Sequence, residues 1–170
     1  ARKYALLAVG ELLADFIGTE ITENLSNAER FQRFQGGSPS NLAAKMGRLG
    51  NKTAIVSCVG NDNLGKYLVE KVKATGVDVR YIAVDDFEPS SIVVVSRTKG
   101  TPDFIAYRTA DRMIQSKHIS DDLLKEVSIF HTTCFALSRN PAQDAIVESA
   151  SRAAKLGVQL SIDLNYAPQI

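Results

Sequence analysis

Short apolar runs alternate with amphipathic stretches along most of this 170-residue chain, and this alternation limits the possible folds more than any other feature. The apolar runs predict β-strands near residues 4–9, 53–59, 79–84, 128–135 and 158–164. The amphipathic stretches between them predict helices. Because strands that alternate with helices build β-α-β units with right-handed crossovers, we expect an α/β fold around a mainly parallel sheet.

Residues typical of helix ends support three of these helices, which begin at about residues 38, 62 and 141. Ser38 and Pro39 predict an N-cap and a first helical turn, and Asn140 predicts the N-cap of the last helix. A glycine stands where each helix should stop, at Gly50, Gly76 and Gly157. Glycine readily adopts the left-handed conformation that ends a helix, so these positions predict the helix lengths.

Two segments do not follow the alternation, at about residues 11–35 and 88–110. The second contains two β-rich runs joined by a turn over residues 99–102, which is typical of a hairpin. We therefore expect one domain whose α/β core carries a small accessory β-sheet, formed by these two inserted segments.

Charge and composition argue against several kinds of partner. The chain has 20 basic and 19 acidic residues, a formal net charge of +1 and no basic stripe, so we expect no nucleic-acid partner. No apolar run reaches the roughly 18 residues that cross a membrane, so we expect no membrane partner. The two cysteines, Cys58 and Cys134, lack metal-type spacing and fit a reducing compartment, which predicts a cytoplasmic protein.

The sequence GGSPSN at residues 36–41 is the first candidate for a ligand site. Gly36 and Gly37 leave space for a ligand at the backbone, and the helix that follows offers free N–H groups to oxygen-rich ligands. Asn41 can donate to a hydroxyl group and accept from it. A tight turn before a helix would need the same residues without any ligand, so both interpretations stay open.

Further polar residues could belong to the same site. Asp15 stands among apolar residues in LLADFIG, which places it either near a ligand or in solvent. Asp163 and Asn165 lie at the carboxyl end of the last predicted strand, where open parallel sheets bind ligands, although they could simply form a turn. Arg108 follows the FIAY run and could reach into a cleft or lie on its rim.

Two other patterns predict no site. Residues 60–67, GNDNLGKY, have the spacing of a phosphate-binding loop, but Tyr67 replaces the hydroxyl residue that would hold magnesium. We therefore treat that match as accidental. His131 and Cys134 should point to opposite faces of their strand, so we expect core residues rather than a base and a nucleophile.

The segment GGSPSNLAAKMGRLGNKTAIVSCVG resembles the N-terminal signature of the ribokinase-like, phosphofructokinase-B-type carbohydrate kinases. That signature has paired glycines, an asparagine four residues after the second glycine, and later glycines at the positions of Gly50 and Gly60. The segments AVGELLADFIG, VGNDNLGKYLVEKVKATGVDV and DLNYAP extend the resemblance over essentially the whole chain. The opening is most similar to fructokinases and 2-keto-3-deoxygluconate kinases.

The resemblance implies a sugar site covered by a lid. Our candidate substrate-binding residues are Asp15, Gly36, Gly37, Asn41, Arg108 and Asn165. The accessory strands would form the lid and would join two copies of the chain as a homodimer. Compared with keto-deoxygluconate kinases, Ala106 replaces an aromatic residue and Tyr166 replaces an arginine, which favours a neutral hexose such as fructose over an acidic sugar.

The implied reaction transfers the γ-phosphoryl group of ATP to a sugar hydroxyl, with Mg²⁺ and, as a further candidate, a monovalent cation. In this family the catalytic aspartate belongs to a downstream GAGD motif, which we expect beyond Ile170, so we assign no catalytic residue within the chain. We therefore expect the N-terminal, sugar-binding portion of a kinase whose C-terminal half is missing. Two alternatives stay open, a non-catalytic sugar-binding or assembly module and a nucleoside kinase of the same superfamily.

Overall fold

The structure is a computed structural model that describes residues 1–165, so the prediction made for Tyr166 lies outside the described residues. The strands are β1 Tyr4–Val9, β2 Leu13–Ile21, β3 Phe31–Gly36, β4 Thr53–Gly60, β5 Ile82–Asp85, β6 Ile92–Arg97, β7 Phe104–Tyr107, β8 Val127–Thr133 and β9 Gln159–Asp163. The helices are α1 Ser38–Arg48, α2 Asn63–Lys73, α3 Asp121–Lys125 and α4 Ala142–Lys155. Short 3₁₀ turns connect several of them, among them Ala136–Ser138 between β8 and α4.

The main sheet has five strands in the order β5-β4-β1-β8-β9, and every neighbouring pair is parallel. All eight residues of β4 are buried, as expected for a parallel strand that is covered on both faces. The expected α/β fold with a mainly parallel sheet is confirmed.

Helices cover both faces of the main sheet. Neighbouring residues of β1 point in opposite directions, so Leu6 joins the core beneath α1 and α2, whereas Leu7 joins the core beneath α4. Ala43 and Leu68 pack into the first core, and Ile146 packs into the second. Because every neighbouring pair of strands is parallel, the carboxyl ends of the strands lie along one edge of the sheet.

A second, four-stranded sheet has the order β3-β2-β6-β7. Strand β2 pairs antiparallel with β3 and parallel with β6, and β6 pairs antiparallel with β7. The guanidinium of Arg33 lies 3.7 Å from the ring centre of Tyr67, so helix α2 supports this sheet from the side of the core. Since only three residues separate the end of β1 from the start of β2, the second sheet lies beyond the carboxyl edge of the first.

Several local predictions differ from the structure, among them the N-cap of the last helix, which is Pro141 and not Asn140. The strand expected over 79–84 begins only at Ile82, because Asp78 pairs with Arg80 and the chain turns there. The strand expected over 128–135 ends at Thr133, whose hydroxyl caps the turn that follows. The N-cap of α1 is Gly37 and not Ser38, and no side chain caps this helix.

Among residues 1–165, no helix combines the length and the apolar character that a membrane crossing would require.

Candidate functional site

Three neighbouring strands of the main sheet, β1, β8 and β9, end at the same edge, and each is followed or closed by a polar residue. Glu11 lies two residues after the end of β1, Thr133 ends β8 and Asp163 ends β9. These residues border a cavity of about 270 Å³. The lining residues are Glu11, Ser38, Phe104, Thr133, Phe135, Asp163 and Asn165. Open parallel sheets bind ligands at such an edge, so this cavity is the candidate site.

The cavity combines oxygen-rich side chains with two aromatic rings. The Ser38 hydroxyl, at the start of α1, lies 3.4 Å from Asp163 Oδ2 and donates to it. The backbone N–H of Asn165 donates to Asp163 Oδ1 over 2.9 Å, which holds the carboxylate at the end of β9. Phe104 comes from β7 of the second sheet and Phe135 comes from the turn after β8. Hydroxyl-rich small molecules are bound by this combination of acceptors, donors and apolar surface.

Glu11 is the buried acid of the cavity, with only 5% of its surface exposed. Burial raises the pKa of its carboxyl group to about 7, and this rise is partly offset by the hydrogen bond from Thr133 and by the charge of Arg108. Oε2 of Glu11 accepts the Thr133 hydroxyl over 2.7 Å. Glu11 therefore changes charge near neutral pH at the end of the central strand.

The twin glycines form a corner that is filled by the chain itself. A Cβ atom on Gly36 would collide with the carboxylate of Asp15, whose Cγ would lie only 2.7 Å away. Gly37 has a φ of 112°, and a Cβ atom there would collide with the carbonyl group of Glu11. The glycines are thus needed for the close approach of β2 to the start of α1.

Asp15 lies against Gly36 on the second sheet, opposite Phe34 in the β2–β3 register. It is half-buried, and burial raises the pKa of its carboxyl group. No hydrogen bond joins its side chain to any of residues 1–165, so its oxygens are available to a ligand. The structure therefore brings Asp15 and the glycine corner together.

The other predicted residues fall in three places. Asn165 lies in the cavity wall beside Asp163. Asn41 lies in the first turn of α1, where its N–H donates to the carbonyl of Gly37 and its side chain is exposed. Arg108 does not line the cavity. Its sugar-binding role stays a prediction.

Arg108 is buried behind the cavity. Only 5% of its side chain is exposed, Nε donates to Asp111 Oδ2 over 2.7 Å, and Nη1 donates to the Ser138 hydroxyl over 2.8 Å. Its guanidinium carbon lies 3.9 Å from the ring centre of Phe135, which does line the cavity. The geometry thus relates Arg108 to the cavity through Phe135.

The phosphate-loop spacing at residues 60–67 does not form an anion site in this structure. The N-cap of α2 is Asp62, whose Oδ1 accepts the N–H of Gly65 and the hydroxyl of Ser90. The carboxylate therefore occupies the place that a phosphate would take at a helix N-terminus. Burial alone would raise the pKa of Asp62, but hydrogen bonds from Ser90 and Gly65 outweigh it and keep that pKa below its usual value.

His131 and Cys134 do not form a catalytic pair in the structure. His131 is buried on β8, where its Nδ1 lies 2.9 Å from the hydroxyl of Ser161, and burial lowers its pKa. Within residues 1–165, no group of three or more His, Cys, Asp or Glu side chains could hold a metal ion.

Comparison with known proteins places this fold and cavity in a family. Residues 4–169 match the family described as pfkB family carbohydrate kinase. The chain belongs to this family. It is 33% identical to the ATP-dependent 6-phosphofructokinase of Thermoanaerobacterium thermosaccharolyticum over 169 residues, which cover 99% of the chain and 52% of the relative.

Solved structures of pfkB-like sugar kinases share the architecture. The fructokinase of Halothermothrix orenii is 34% identical, with a TM-score of 0.88 over 93% of this chain and 56% of its own. A putative ribokinase II from E. coli, solved with ATP and Mg²⁺, is 26% identical, with a TM-score of 0.87 over 96% of this chain and 54% of its own. The chain thus spans about half the length of these relatives, and the ribokinase-like fold is confirmed.

Sequence reasoning missed five cavity residues, namely Glu11, Ser38, Phe104, Thr133 and Phe135. Glu11 could have been found, since it lies two residues after the apolar run of β1 and polar residues at strand ends were already expected to face the site. No sequence pattern indicated Phe104 and Phe135, because their place in the cavity depends on how the second sheet and the 136–138 turn pack.

Proposed function

We propose that the protein carrying this chain is a sugar kinase, which transfers the γ-phosphoryl group of ATP to a sugar hydroxyl, and that residues 1–165 bind the sugar. The main support for this proposal is the cavity at the carboxyl ends of β1, β8 and β9, found in a chain of the pfkB carbohydrate kinase family. Phosphoryl transfer depends mainly on positioning and charge stabilisation, so a rigid sugar pocket is one of its essential parts.

In this proposal the sugar lies between the strand ends and the second sheet. Asp15 accepts a sugar hydroxyl, because its carboxylate has no hydrogen-bond partner in residues 1–165 and lies at the Gly36 corner. Asn41 and Asn165 add amide groups that can both donate and accept. Arg108 contributes by stacking on Phe135 from behind.

The charge of the cavity favours a neutral sugar over a sugar acid or a sugar phosphate. Glu11 and Asp163 line it, and Asp15 lies at the nearby glycine corner. The Arg108 cation is paired with Asp111 and does not line the cavity. An anion placed beside these carboxylates would be repelled, so we propose a fructokinase-like enzyme that acts on a neutral hexose.

ATP and Mg²⁺ enter the proposal from the family, as in the E. coli relative solved with both. Residues 1–165 do not fit a magnesium site, since no suitable group of ligands lies among them. The helix end at Asp62 does not fit a phosphate, because a carboxylate fills it. We therefore assign no phosphoryl-transfer step to these residues.

The second sheet is the proposed contact between two copies in a homodimer. Large apolar side chains remain exposed on the face of this sheet opposite to Asp15, with Ile105 at 47% and Tyr107 at 50%. Exposed apolar patches of this kind support an interface. Sedimentation of the full-length protein should show a dimer that Ile105→Glu weakens.

Calorimetric titration of the full-length protein with D-fructose tests the sugar site. Asp15→Ala and Asn41→Ala should each weaken binding about tenfold or more, as expected when a hydrogen bond to a buried or charged group is lost. Asn63→Ala is the matched control, because Asn63 is exposed at the start of α2 and should not affect affinity. Unchanged affinity in both site variants would contradict the proposal. Sugar binding without ATP turnover would instead indicate a binding module.

A further inference from the structure

Residues 134–138, which we call the β8 turn, form one wall of the cavity and present Phe135 to it. The turn is held by specific hydrogen bonds. The N–H of Cys134 donates to the carbonyl of Asp163 over 3.0 Å, and the hydroxyl of Ser138 donates to the carbonyl of Phe135 over 2.6 Å. The position of the Phe135 ring therefore depends on groups at both ends of the turn.

One end of the β8 turn is fixed by Thr133 and Glu11. The Thr133 Oγ1 accepts the N–H of Ala136 over 3.0 Å and donates its proton to Glu11 Oε2 over 2.7 Å. A hydroxyl has a single proton, so the carboxylate decides where that proton points and leaves the oxygen lone pairs free for Ala136. Glu11 thus orders a turn that is 122 residues away along the chain.

The other end is fixed by Arg108. Its Nη1 donates to the Ser138 hydroxyl over 2.8 Å, and its guanidinium lies over the Phe135 ring. Asp111 holds Arg108 from the opposite side. Arg108 therefore holds the Phe135 ring from the side away from the cavity. Thr133 holds the backbone of the turn that carries the ring.

Burying a carboxylate at 5% exposure is unfavourable unless it is hydrogen-bonded. The side-chain hydrogen bond of Glu11 within residues 1–165 goes to the hydroxyl that orders the β8 turn. Through that contact Glu11 holds the β8 turn in place, in addition to any direct contact with a ligand.

We propose that Glu11 is a positioning residue of the sugar pocket, which acts through Thr133 to hold the β8 turn and so keeps the Phe135 ring against the sugar. This inference rests on the proposed function, because it assumes that the cavity holds a sugar.

A double-mutant cycle in the full-length protein tests it, with D-fructose as the probe. Glu11→Ala and Thr133→Val should each raise the Kd about tenfold, as expected for loss of a charge-assisted hydrogen bond, and the double variant should be no worse than either single one within about twofold. In turnover assays KM should rise with little change in kcat, because an aromatic wall contacts the sugar equally in the ground state and the transition state. Glu11→Gln and Thr133→Ser keep the hydrogen bond and should stay within about threefold of the wild type.

Ser149→Ala is the control for a merely structural effect. Ser149 is fully buried in α4 and donates only to carbonyls of its own helix, so its loss should leave the Kd unchanged. If Glu11→Ala fails to fold, Thr133→Val alone must still raise the Kd.

The positioning role of Glu11 and the sugar site itself can be disproved separately. Binding of fructose by the wild type with an unchanged Kd in Thr133→Val would overturn the positioning role and leave the sugar site standing. Effects that multiply to about a hundredfold in the double variant would also overturn it, since they would show two independent contacts. A wild type that binds no sugar would overturn the proposed function, and the positioning role with it.

Discussion

Gly36 and Gly37 are required by the packing of the chain itself, independently of any ligand. The space that a side chain would take at Gly36 is used by the carboxylate of Asp15, and the space at Gly37 by the carbonyl of Glu11. The corner therefore closes on two acidic residues from different parts of the chain, the side chain of Asp15 in β2 and the backbone of Glu11 before it. A substitution here would disturb the position of both.

Gly37→Ala should destabilise the protein more than Gly50→Ala. Both glycines have positive φ, 112° and 90°, so each alanine carries a backbone penalty of about 1–2 kcal/mol. At Gly50 no atom lies within 4 Å of the added methyl group, whereas at Gly37 it would collide with the Glu11 carbonyl. Urea unfolding of the two variants measures the difference. Equal losses would show that the corner relaxes without cost.

Glu11 should make the stability of the protein depend on pH. Its pKa is raised from 4.5 to about 7 in the folded protein, so folding favours the protonated form. The stability linked to this group is complete below about pH 4.5 and is lost as the pH rises through 7. Glu11→Gln should therefore gain stability over the wild type between pH 5 and pH 8, by on the order of 3 kcal/mol. Unfolding free energies at both pH values test this, and a pH-independent difference between the two proteins would contradict it.

At the level of elements, Asp62 joins helix α2 to the base of the second sheet. Its carboxylate caps α2 through the N–H of Gly65 and also accepts both the N–H and the hydroxyl of Ser90, two residues before β6. One side chain thus holds both the start of helix α2 and the segment that leads into β6 of the second sheet.

Asp62→Ala should lower the free energy of unfolding by about 2–3 kcal/mol at pH 7, because it removes a helix cap and leaves buried Ser90 without its partner. Ser120→Ala is the matched control, since Ser120 caps only the short helix α3 and should cost about 1 kcal/mol. Thermal or urea unfolding compares them. The pKa of Asp62 is lowered, so the ionised form contributes stability above about pH 3.8, which is lost as the pH falls further. Equal losses in the two variants would show that Asp62 acts only as a cap.

A helix or strand could be predicted from the sequence where the residues that determine it lie within the same segment. Helix starts, glycine stops and the buried strands β1 and β4 follow directly from periodicity and turn chemistry. The beginning of β5 could not be predicted, because the Asp78–Arg80 pair that delays it is ordered by Tyr4, a residue from another strand. Asp15 and Asn165 could be named as candidates from the sequence, Asp15 as a carboxylate among apolar residues and Asn165 at the carboxyl end of a strand. The place of Phe135 depends on the order of β1, β8 and β9, which no single segment contains.

At the level of the whole molecule, strand β9 is one of the two edge strands of the main sheet, with β5 at the other side. Parallel strands are normally covered on both faces, yet Leu160 is 49% exposed and Ile162 is 47% exposed, and Leu164 just beyond the strand is 71% exposed. The chain also spans about half of its relatives, 52% of the phosphofructokinase and 56% of the fructokinase. We propose that, in the sugar kinase proposed above, further protein covers this edge.

The 170-residue chain expressed by itself should therefore associate through β9. Unpaired edge strands with exposed apolar side chains pair with other chains, so size-exclusion chromatography should show oligomers, and a dye that binds apolar surface should fluoresce. Replacing Leu160 and Ile162 with threonine keeps the strand propensity, removes much of the apolar surface and should shift the chain toward monomer. Leu49→Thr is the control, because Leu49 is 81% exposed at the end of α1 and leads into β4, which β1 and β8 separate from β9, so it should leave the association unchanged. A chain that stays monomeric and binds no dye would show that β9 needs no cover, and the inferred second half would lose its structural support.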